Sequence, residues 1–510
     1  MDTGEGATTA MRCGVGDWVM ARTSGCMAFR PLLYDGTDPQ HGGMSTNVKR
    51  DGGQLTDPQA ELTPNTKARK TPSAALTLTA GLLGFALVCL DASIVNVALP
   101  AMGSSLGGGM AGLQWVVDAY TLAFAALMLS TGAFSDRAGA TRAYALGAGV
   151  FTLASAACGL APNLPALIGA RVVQGVAAAV VLPASLALVR QAYTDPARRA
   201  RAVAVWAAGG SAAVALGPVV GGVLTTAWDW RGIFFVNLPV GALILVLLVR
   251  APRSQRRPAP LDLPGQVTAV VALTALTFAV IEGGAAGWAA LAVAVVAAGA
   301  FLRIEARRPH PVVPLGLFRN RTVAVTVAAG AAVSVAFYSM VFVFSLFFQQ
   351  VQGRSALQAG LMFLPMTGLI AVTNVVAGKL AGRHGARLPM VVGQGLAVAG
   401  LLVMLFVDAD TPPVVVALLL VPMALGCALT VPPLTAAMMD AVPAERAGLA
   451  AGVLNAARQM AGALGIAVFG ALISDGFVSG MRLSLVISAA LLAVTGLLSF
   501  RLAGPSASSA

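Results

Sequence analysis

Long apolar runs alternate with short polar stretches along most of the chain, from about residue 75 to residue 502. A helix rises about 1.5 Å per residue, so a run of about 20 apolar residues spans the roughly 30 Å hydrocarbon core of a bilayer. The pattern therefore predicts an all-α membrane protein with fourteen transmembrane helices. These are predicted at about residues 75–100, 113–134, 142–161, 164–188, 200–225, 232–250, 264–282, 286–302, 322–349, 357–379, 388–407, 413–436, 447–473 and 483–502.

Both ends of the chain lack such runs. Residues 1–73 are polar, rich in Gly, Asp and Thr, and contain no apolar core of signal-peptide length. We interpret them as a disordered cytoplasmic tail and residues 503–510 as a short C-terminal tail. Met44 follows a compositionally unusual stretch, so translation from Met1 and translation from Met44 both stay open.

The composition agrees with a membrane protein. Of the 510 residues 57% are hydrophobic and only 11% are charged, and the mean hydropathy is +0.81. A soluble domain of this composition would expose large apolar patches and aggregate. The formal net charge of +12 raises the alternative of a nucleic-acid partner.

The positions of the basic residues decide against that alternative. With a cytoplasmic N-terminus, twenty lysines and arginines lie in cytoplasmic loops or at the C-terminal end, and three (Arg231, Arg354 and Arg482) lie in outer loops. This asymmetry is the positive-inside pattern of a multi-pass protein. It predicts a protein of the inner membrane, embedded in the lipid bilayer with both termini cytoplasmic, and no nucleic-acid partner.

Two related segments indicate an internal duplication. Segments 132–142 and 378–387 are both short, charged and bracketed by glycines, and they lie about 246 residues apart, each between apolar runs. A duplicated membrane protein of this kind has halves that move against each other. We therefore predict two six-helix bundles, at 74–250 and 311–502, with an inserted helix pair at 251–310.

The first of these segments is a candidate conformational latch on the cytoplasmic face. Its glycines allow a tight turn, and Asp136 can meet the positive N-terminus of a helix or a nearby arginine. The second copy has Gly382 at the corresponding position, so we expect a one-sided latch. The residues assigned to the latch are Gly132, Asp136, Arg137, Gly139 and Arg142.

Two charged residues fall at similar depths within predicted helices. Asp91 lies about nine residues below the outer end of the first helix, and Arg171 about seven residues below that of the fourth. A carboxylate there costs about 2.5–3.5 kcal/mol on membrane-insertion scales, so it should face a cavity or a partner. Asp91 is therefore a candidate proton carrier or cation site, tuned by Arg171. A purely structural pair of charges is the alternative.

Two further sites are less specific. Asp118 lies only about five residues deep in the second helix, where it either takes part in proton coupling or is solvated. Arg458 lies near mid-membrane between Asn455 and Gln459, and the three form a possible core site of the second half. Helix packing explains Arg458 as well as transport does.

The fifth helix carries small residues at every fourth position from Gly209 to Gly221. This spacing places them on one stripe, which lets another helix approach closely, and the nearby proline removes a backbone donor. Close packing and a role in gating both fit the stripe. The residues assigned to it are Gly217, Pro218, Gly221 and Gly222.

Several enzyme and metal motifs are absent from the sequence. It contains no GxxxxGK[ST], HExxH or GxSxG motif, and His41, His310 and His384 lie far apart. The five cysteines have no metal-ligand spacing. We therefore expect neither an enzyme nor a bound metal or other cofactor.

Together the motifs resemble those of the major facilitator superfamily, specifically its fourteen-helix drug:proton antiporter branch. They are similar to its signature loop, its first-helix motif, the proton-coupling motif of its fourth helix, the antiporter motif of its fifth helix and two further motifs. The matching segments are Gly132 to Arg142, Asp91 to Pro100, Arg171 to Gly175, Gly217 to Gly222, Trp230 to Pro239 and Pro314 to Arg321. The resemblance covers about residues 74–473.

The resemblance implies a proton-driven efflux transporter that works by alternating access, with its substrate cavity between the two six-helix halves. It implies a small hydrophobic or cationic substrate, protons as the second partner, the proton gradient as energy source, and a monomer. From the shared depth of the two charges we hypothesise that Asp91 binds either a proton or a cationic substrate. Arg171 then lowers its affinity for the proton. A solute:proton symporter and a membrane-embedded enzyme are the alternatives.

Overall fold

The computed structural model describes residues 74–249, 254, 262–308, 311, 313–443, 446–474 and 476–502. The predicted tails at 1–73 and 503–510, and with them the choice between Met1 and Met44, lie outside the described residues. The predicted limits of the inserted pair, near 250 and 310, also fall on residues that are not described. The division into domains therefore stays a prediction.

The first half of the chain contains six helices, and an inserted pair follows it. The six are α1 (Ala74–Leu106), α2 (Gly109–Ala138), α3 (Ala140–Gly159), α4 (Leu164–Ala192), α5 (Pro196–Ala227) and α6, which is broken at Val236 into Gly232–Phe235 and Asn237–Val249. The inserted helices are α7 (Leu263–Glu282) and α8 (Gly284–Arg307).

The second half again contains six helices, preceded by a short 3-10 helix at Leu315–Arg319. These are α9 (Arg321–Leu346, continued by a π-helical turn Phe347–Val351), α10 (Ala356–Met362 and Leu364–His384), α11 (Arg387–Val403, continued by a 3-10 turn Met404–Phe406), α12 (Pro413–Asp440), α13 (Ala447–Ser474) and α14 (Phe477–Phe500).

All regular secondary structure in the described residues is helical. Thirteen of the helices are long and apolar enough to cross a membrane. The fourteenth helix, α3, does not meet this criterion. It begins with Ala140-Thr141-Arg142 and packs along α4 and α6. The fourteen helices agree in position with those predicted, and the predicted all-α membrane fold is confirmed.

The segment predicted as a charged loop at 132–142 is mostly helical. α2 continues through it to Ala138, and α3 starts at Ala140, so only Gly139 lies outside a helix. Gly139 makes this turn with φ +85°, and Gly385 makes the equivalent turn between α10 and α11 with φ +77°. Glycine adopts such angles without steric cost, which allows a one-residue turn where a longer loop was expected. The two turns preserve the internal repeat.

α1 also extends beyond its predicted end. It passes Pro100 and reaches Leu106 instead of ending at the proline. Proline removes a single backbone donor, and the final turn is still closed by the bond from the backbone N–H of Gly107 to the oxygen of Gly103, at 2.9 Å.

The two halves meet along two seams, α2 against α13 and α5 against α10. Gly217 and Gly221 of α5 face α1, whereas a Cβ on Gly222 would lie 2.6 Å from a backbone oxygen of α10. In the reverse direction, Gly360 of α10 lies against the backbone of Pro218. The small-residue stripe therefore allows α5 to pack tightly against both its own half and the other half.

The inserted pair packs beside the seam between α2 and α13. The Gln266 side chain donates a hydrogen bond to the backbone oxygen of Ala126 and accepts one from the Ser130 hydroxyl. The Trp115 indole donates to the Glu282 carboxylate at 3.2 Å. These bonds attach α7 to α2 at two levels.

We expect Gly393→Val in α11 to destabilise the second half. A Cβ there would lie 2.5 Å from the Thr430 hydroxyl and 2.7 Å from the backbone oxygen of Gly426, and such overpacking costs about 1–3 kcal/mol. Gly395→Val in the same helix is the matched control, because its Cβ would meet nothing within 4 Å. Thermal unfolding of the two purified variants checks this. Equal melting temperatures would contradict it.

Candidate functional site

A buried ion pair joins α1 to α4. Nη1 of Arg171 donates to Oδ2 of Asp91 at 2.5 Å, and the two side chains are 1% and 0% exposed. The structure thus brings together the two charges that the sequence placed at similar depth. A buried pair of this kind is tolerated only when the remaining polar atoms also find partners.

The second oxygen of Asp91 is held by two amides. Nε2 of Gln174 and Nδ2 of Asn237 each donate to Oδ1 of Asp91 at 2.8 Å. The same two amides donate to the hydroxyl of Ser155 at 3.2 Å and 3.0 Å. α4 and α6 therefore supply three hydrogen-bond donors to the carboxylate of α1, and α3 joins the network through Ser155.

The Arg171 guanidinium has further partners besides Asp91. Its Nε donates to the backbone oxygen of Val116 at 3.1 Å, and its Nη1 also donates to Oε1 of Gln174 at 2.8 Å. Its Cζ lies 4.2 Å from the centre of the Tyr120 ring. The cation–π contact supplies a partner on the face where no acceptor lies.

A central cavity of about 280 Å³ lies between the two halves. It is lined by α1, α2, α4 and α5 from the first half and by α9, α10, α12 and α13 from the second. Its wall is largely apolar and aromatic. The group predicted in the second half, Asn455, Arg458 and Gln459, lines this cavity.

Tyr120 separates the ion pair from the cavity. Its ring lines the cavity on one side and stacks against Arg171 on the other. Its hydroxyl donates to the backbone oxygen of Val88 at 3.2 Å, which ties α2 to α1. Neither Asp91 nor Arg171 is among the residues that line the cavity, and Tyr120 lies between them and it.

Asp118 lies apart from the ion pair, at the seam between the halves. One turn before it on α2, Gln114 donates from Nε2 to the backbone oxygen of Ala467 in α13 at 2.6 Å. Residues four apart share a helix face, so Asp118 lies on the face of α2 that carries this inter-half bond. Asp118 is 0% exposed, and neither carboxylate oxygen has a hydrogen-bond partner among the described residues.

The halves are bonded to each other at the end of the protein opposite the α2–α3 turn. The hydroxyl of Ser345 donates to the backbone oxygen of Asn96 at 2.8 Å, and Nε2 of Gln349 donates to that of Val97 at 3.0 Å. Both bonds join the end of α1 to the end of α9. Together with the tight packing of α5 on α10, they hold the two halves in contact at this end.

The predicted latch lies at the opposite end. Asp136, Arg137 and Arg142 are exposed, and Asp136 makes no hydrogen bond or ion pair within the described part of the chain. Gly139 forms the turn, and Gly132 lies within α2. The contact expected of the Asp136 carboxylate is therefore not made in this conformation, and the latch stays a prediction.

Several residues of this network were not predicted as site residues from the sequence. Ser155, Gln174 and Asn237 are uncharged, and Tyr120 is one of several aromatic residues in an apolar run. Their signal was a polar side chain within a predicted membrane span, which is costly unless it has a partner. Only the fold shows that Gln174 and Asn237 share one carboxylate, that Ser155 accepts from both amides, and that Tyr120 stacks on Arg171.

No group of three or more His, Cys, Asp or Glu residues with metal-site geometry occurs among the residues that the structure describes. The three cysteines in this part of the chain, Cys89, Cys158 and Cys427, are free thiols.

A sequence profile for the Major Facilitator Superfamily matches residues 81–466, well over half of the chain. The chain belongs to this superfamily. It is therefore a multi-pass membrane transporter and not an enzyme, and the family expected from its motifs is confirmed.

Two relatives and one solved structure show which members of the superfamily this chain is similar to. It is 40% identical over 410 residues to the multidrug resistance protein Stp of Mycobacterium tuberculosis, covering 78% of this chain and 76% of that protein. It is 37% identical over 432 residues to a methylenomycin A resistance protein of Streptomyces coelicolor, covering 83% and 90%.

The solved structure is a bacterial homologue of the human lysosomal transporter Spinster in an inward-facing and unoccupied conformation. It matches with a TM-score of 0.62, covering 84% of this chain and 96% of that one, at 16% identity. This likeness supports the fold alone.

We expect Asp91→Asn to destabilise this transporter by about 3–5 kcal/mol, because it leaves Arg171 buried without a counter-ion. The double variant Asp91→Asn/Arg171→Gln should recover much of that loss, since no buried charge remains. Thermal unfolding of the purified variants in nanodiscs measures both effects. A double variant less stable than Asp91→Asn would contradict this account of the network.

Proposed function

We propose that this superfamily member exports a small molecule across the inner membrane in exchange for protons. The observation that carries the proposal is the buried Asp91–Arg171 pair directly behind the wall of a cavity between two halves. It supplies one titratable carboxylate next to one substrate site. The relatives named for multidrug and methylenomycin A resistance support export rather than import as the direction of transport.

Proton uptake by Asp91 would loosen the network around it. A neutral carboxylic acid no longer attracts the guanidinium as an ion, and it no longer needs both amide donors. Arg171 is then free to shift, and the Tyr120 ring that stacks against it lines the cavity. The charge state of Asp91 and the shape of the substrate site are thereby linked through one aromatic ring.

Alternating access provides the transport cycle. With both termini cytoplasmic, the bonded ends of α1 and α9 lie at the outer face and the cavity faces the cytoplasm. The exposed Asp136 fits this arrangement, because the latch is needed only when the cytoplasmic end closes. We assign the energy to the proton gradient, without a bound cofactor, and expect a monomer to be sufficient.

We propose Asp118 as a second protonation site. A buried charge without a partner is costly in a membrane, so Asp118 is neutral while the α2–α13 seam is closed at its level. Opening of that seam to water would let Asp118 exchange its proton with the outer side. The proton that it carries when the seam closes again comes from that side, which is the direction of proton entry in the proposed exchange.

We expect transported compounds to collapse a preset pH gradient in inverted membrane vesicles containing the wild-type protein. A panel of lipophilic cations, neutral compounds and carboxylates supplies the probes, and acridine orange quenching reports the gradient. Asp91→Asn should lower the response at least tenfold, because its amide cannot exchange a proton. Wild-type rates in this variant would exclude Asp91 as the coupling residue.

Asp408→Asn is the matched control for that experiment. Asp408 is exposed in the loop between α11 and α12, and the hydrogen bond from the Thr411 hydroxyl lowers the pKa of its carboxyl. The substitution removes an ionised carboxylate outside the membrane-spanning helices. We expect its response to stay within about twofold of the wild type.

Asp118→Asn should separate substrate movement from proton coupling. The amide resembles the neutral acid, so the seam can still close and exchange of labelled for unlabelled substrate should persist. Transport driven by a pH gradient should fall at least tenfold, because no proton can leave this position. Proteoliposomes assayed with and without the gradient test this. Full gradient-driven transport would contradict the assignment.

A further inference from the structure

We propose that the central cavity selects substrates that carry a negative charge on an apolar body, and that Arg458 binds this charge. The inference rests on the proposed transport function and defines its substrate class. It keeps the apolar character expected from the sequence but differs from the expected cationic class in the sign of the charge.

The charge of the cavity wall comes from one side chain. Among the described residues that line the cavity, Arg458 is charged and none is an aspartate or glutamate. An arginine guanidinium keeps its proton in proteins. The empty cavity is therefore positive, and it offers a cationic substrate no carboxylate.

The Arg458 guanidinium is only partly used by the protein. Its Nε donates to the hydroxyl of Ser334 at 3.3 Å, and it makes no ion pair within the described part of the chain. A guanidinium has five N–H donors, so four are left for a ligand or for water. Arg171 shows the contrast, because a carboxylate, an amide and a backbone oxygen inside the first half accept hydrogen bonds from its Nε and Nη1.

The fold holds Arg458 towards the cavity. Its stem packs into the space beside Gly330 of α9, where a Cβ would lie 3.1 Å from Cγ of Arg458. Asn455 and Gln459 flank it on the same wall and add amide groups that can bind the same ligand. The planar fork suits a carboxylate or a similar oxyanion, which it binds through two parallel hydrogen bonds.

The remainder of the wall suits an apolar and partly aromatic body. Phe85 and Phe124 from the first half face Phe337 and Tyr338 from the second around a volume of about 280 Å³. A wall of this kind favours a compact aromatic or alicyclic skeleton. Its low polarity also strengthens the interaction of any ligand charge with Arg458.

Binding of three matched probes tests the proposal. 2-Naphthylacetate, 2-naphthylethanol and 2-naphthylethylammonium share one skeleton and differ in charge. Equilibrium binding to the full-length protein in nanodiscs, without any gradient, should favour the carboxylate over the ammonium compound at least tenfold. Because no proton gradient is present, failed proton-driven export would leave this result unchanged, and failed charge selection would leave the export test unchanged.

Substitutions then assign the selection to Arg458. Arg458→Gln should weaken carboxylate binding at least tenfold while changing binding of the neutral alcohol less than threefold. Arg458→Lys, which keeps the charge but loses the fork, should retain part of the preference. Arg303→Gln on the exposed surface of α8 is the control for a lost positive charge and should change nothing.

Three results would overturn the proposal. The wild-type protein could bind the ammonium compound as tightly as the carboxylate. Arg458→Gln could weaken all three probes equally, as expected if Arg458 only supports helix packing. Arg303→Gln could reproduce the effect of Arg458→Gln, as expected if general surface charge controls binding. Thermal unfolding of each variant confirms that the compared proteins are folded.

Discussion

Burial of charge within a bilayer is the constraint on which the first half of this transporter depends. A carboxylate and a guanidinium can occupy the interior of a helix bundle only if nearly every donor and acceptor between them is used. Both oxygens of Asp91 accept hydrogen bonds from side chains of α4 and α6, and Ser155 of α3 accepts from the same two amides. The network therefore fixes the relative positions of α1, α3, α4 and α6. A change in its protonation would alter hydrogen bonds that connect these helices.

Much of the architecture was predictable because a membrane limits the possible folds. Helix number and approximate position follow from the length of the apolar runs. The similar depth of Asp91 and Arg171 made their pairing one of the alternatives. The partners Asn237 and Ser155 were not predicted, since an uncharged polar residue carries no signal of which helix it will meet. The turn at Gly139 was predicted as a longer loop because the charged residues after Gly132 were assigned to the loop, whereas α2 continues through them to Ala138. Local charge does not end a helix when its polar face reaches water.

The two halves place their charged side chains differently with respect to the cavity. The first half holds a charge-compensated site behind its wall, whereas the second half presents Arg458 directly to the cavity. This asymmetry arises within a repeated fold whose turns at Gly139 and Gly385 are equivalent. The repeat therefore preserves the helix geometry needed for a rocking motion, while in the proposed mechanism proton coupling and substrate binding use different side chains in each half.

The uncompensated guanidinium of Arg458 has an electrical consequence for the transport cycle. While Asp91 is ionised, its charge and that of Arg171 cancel, so the cavity carries about one positive charge without substrate and none with a bound monoanion. A proton on Asp91 during the return step adds one further positive charge. A full elementary charge crossing the membrane potential changes the free energy by about 2.3 kcal/mol per 100 mV. In a cell that is negative inside, the potential therefore draws the empty cavity back to the cytoplasmic side. The loaded step is electrically silent, and voltage acts on the return of the unloaded carrier.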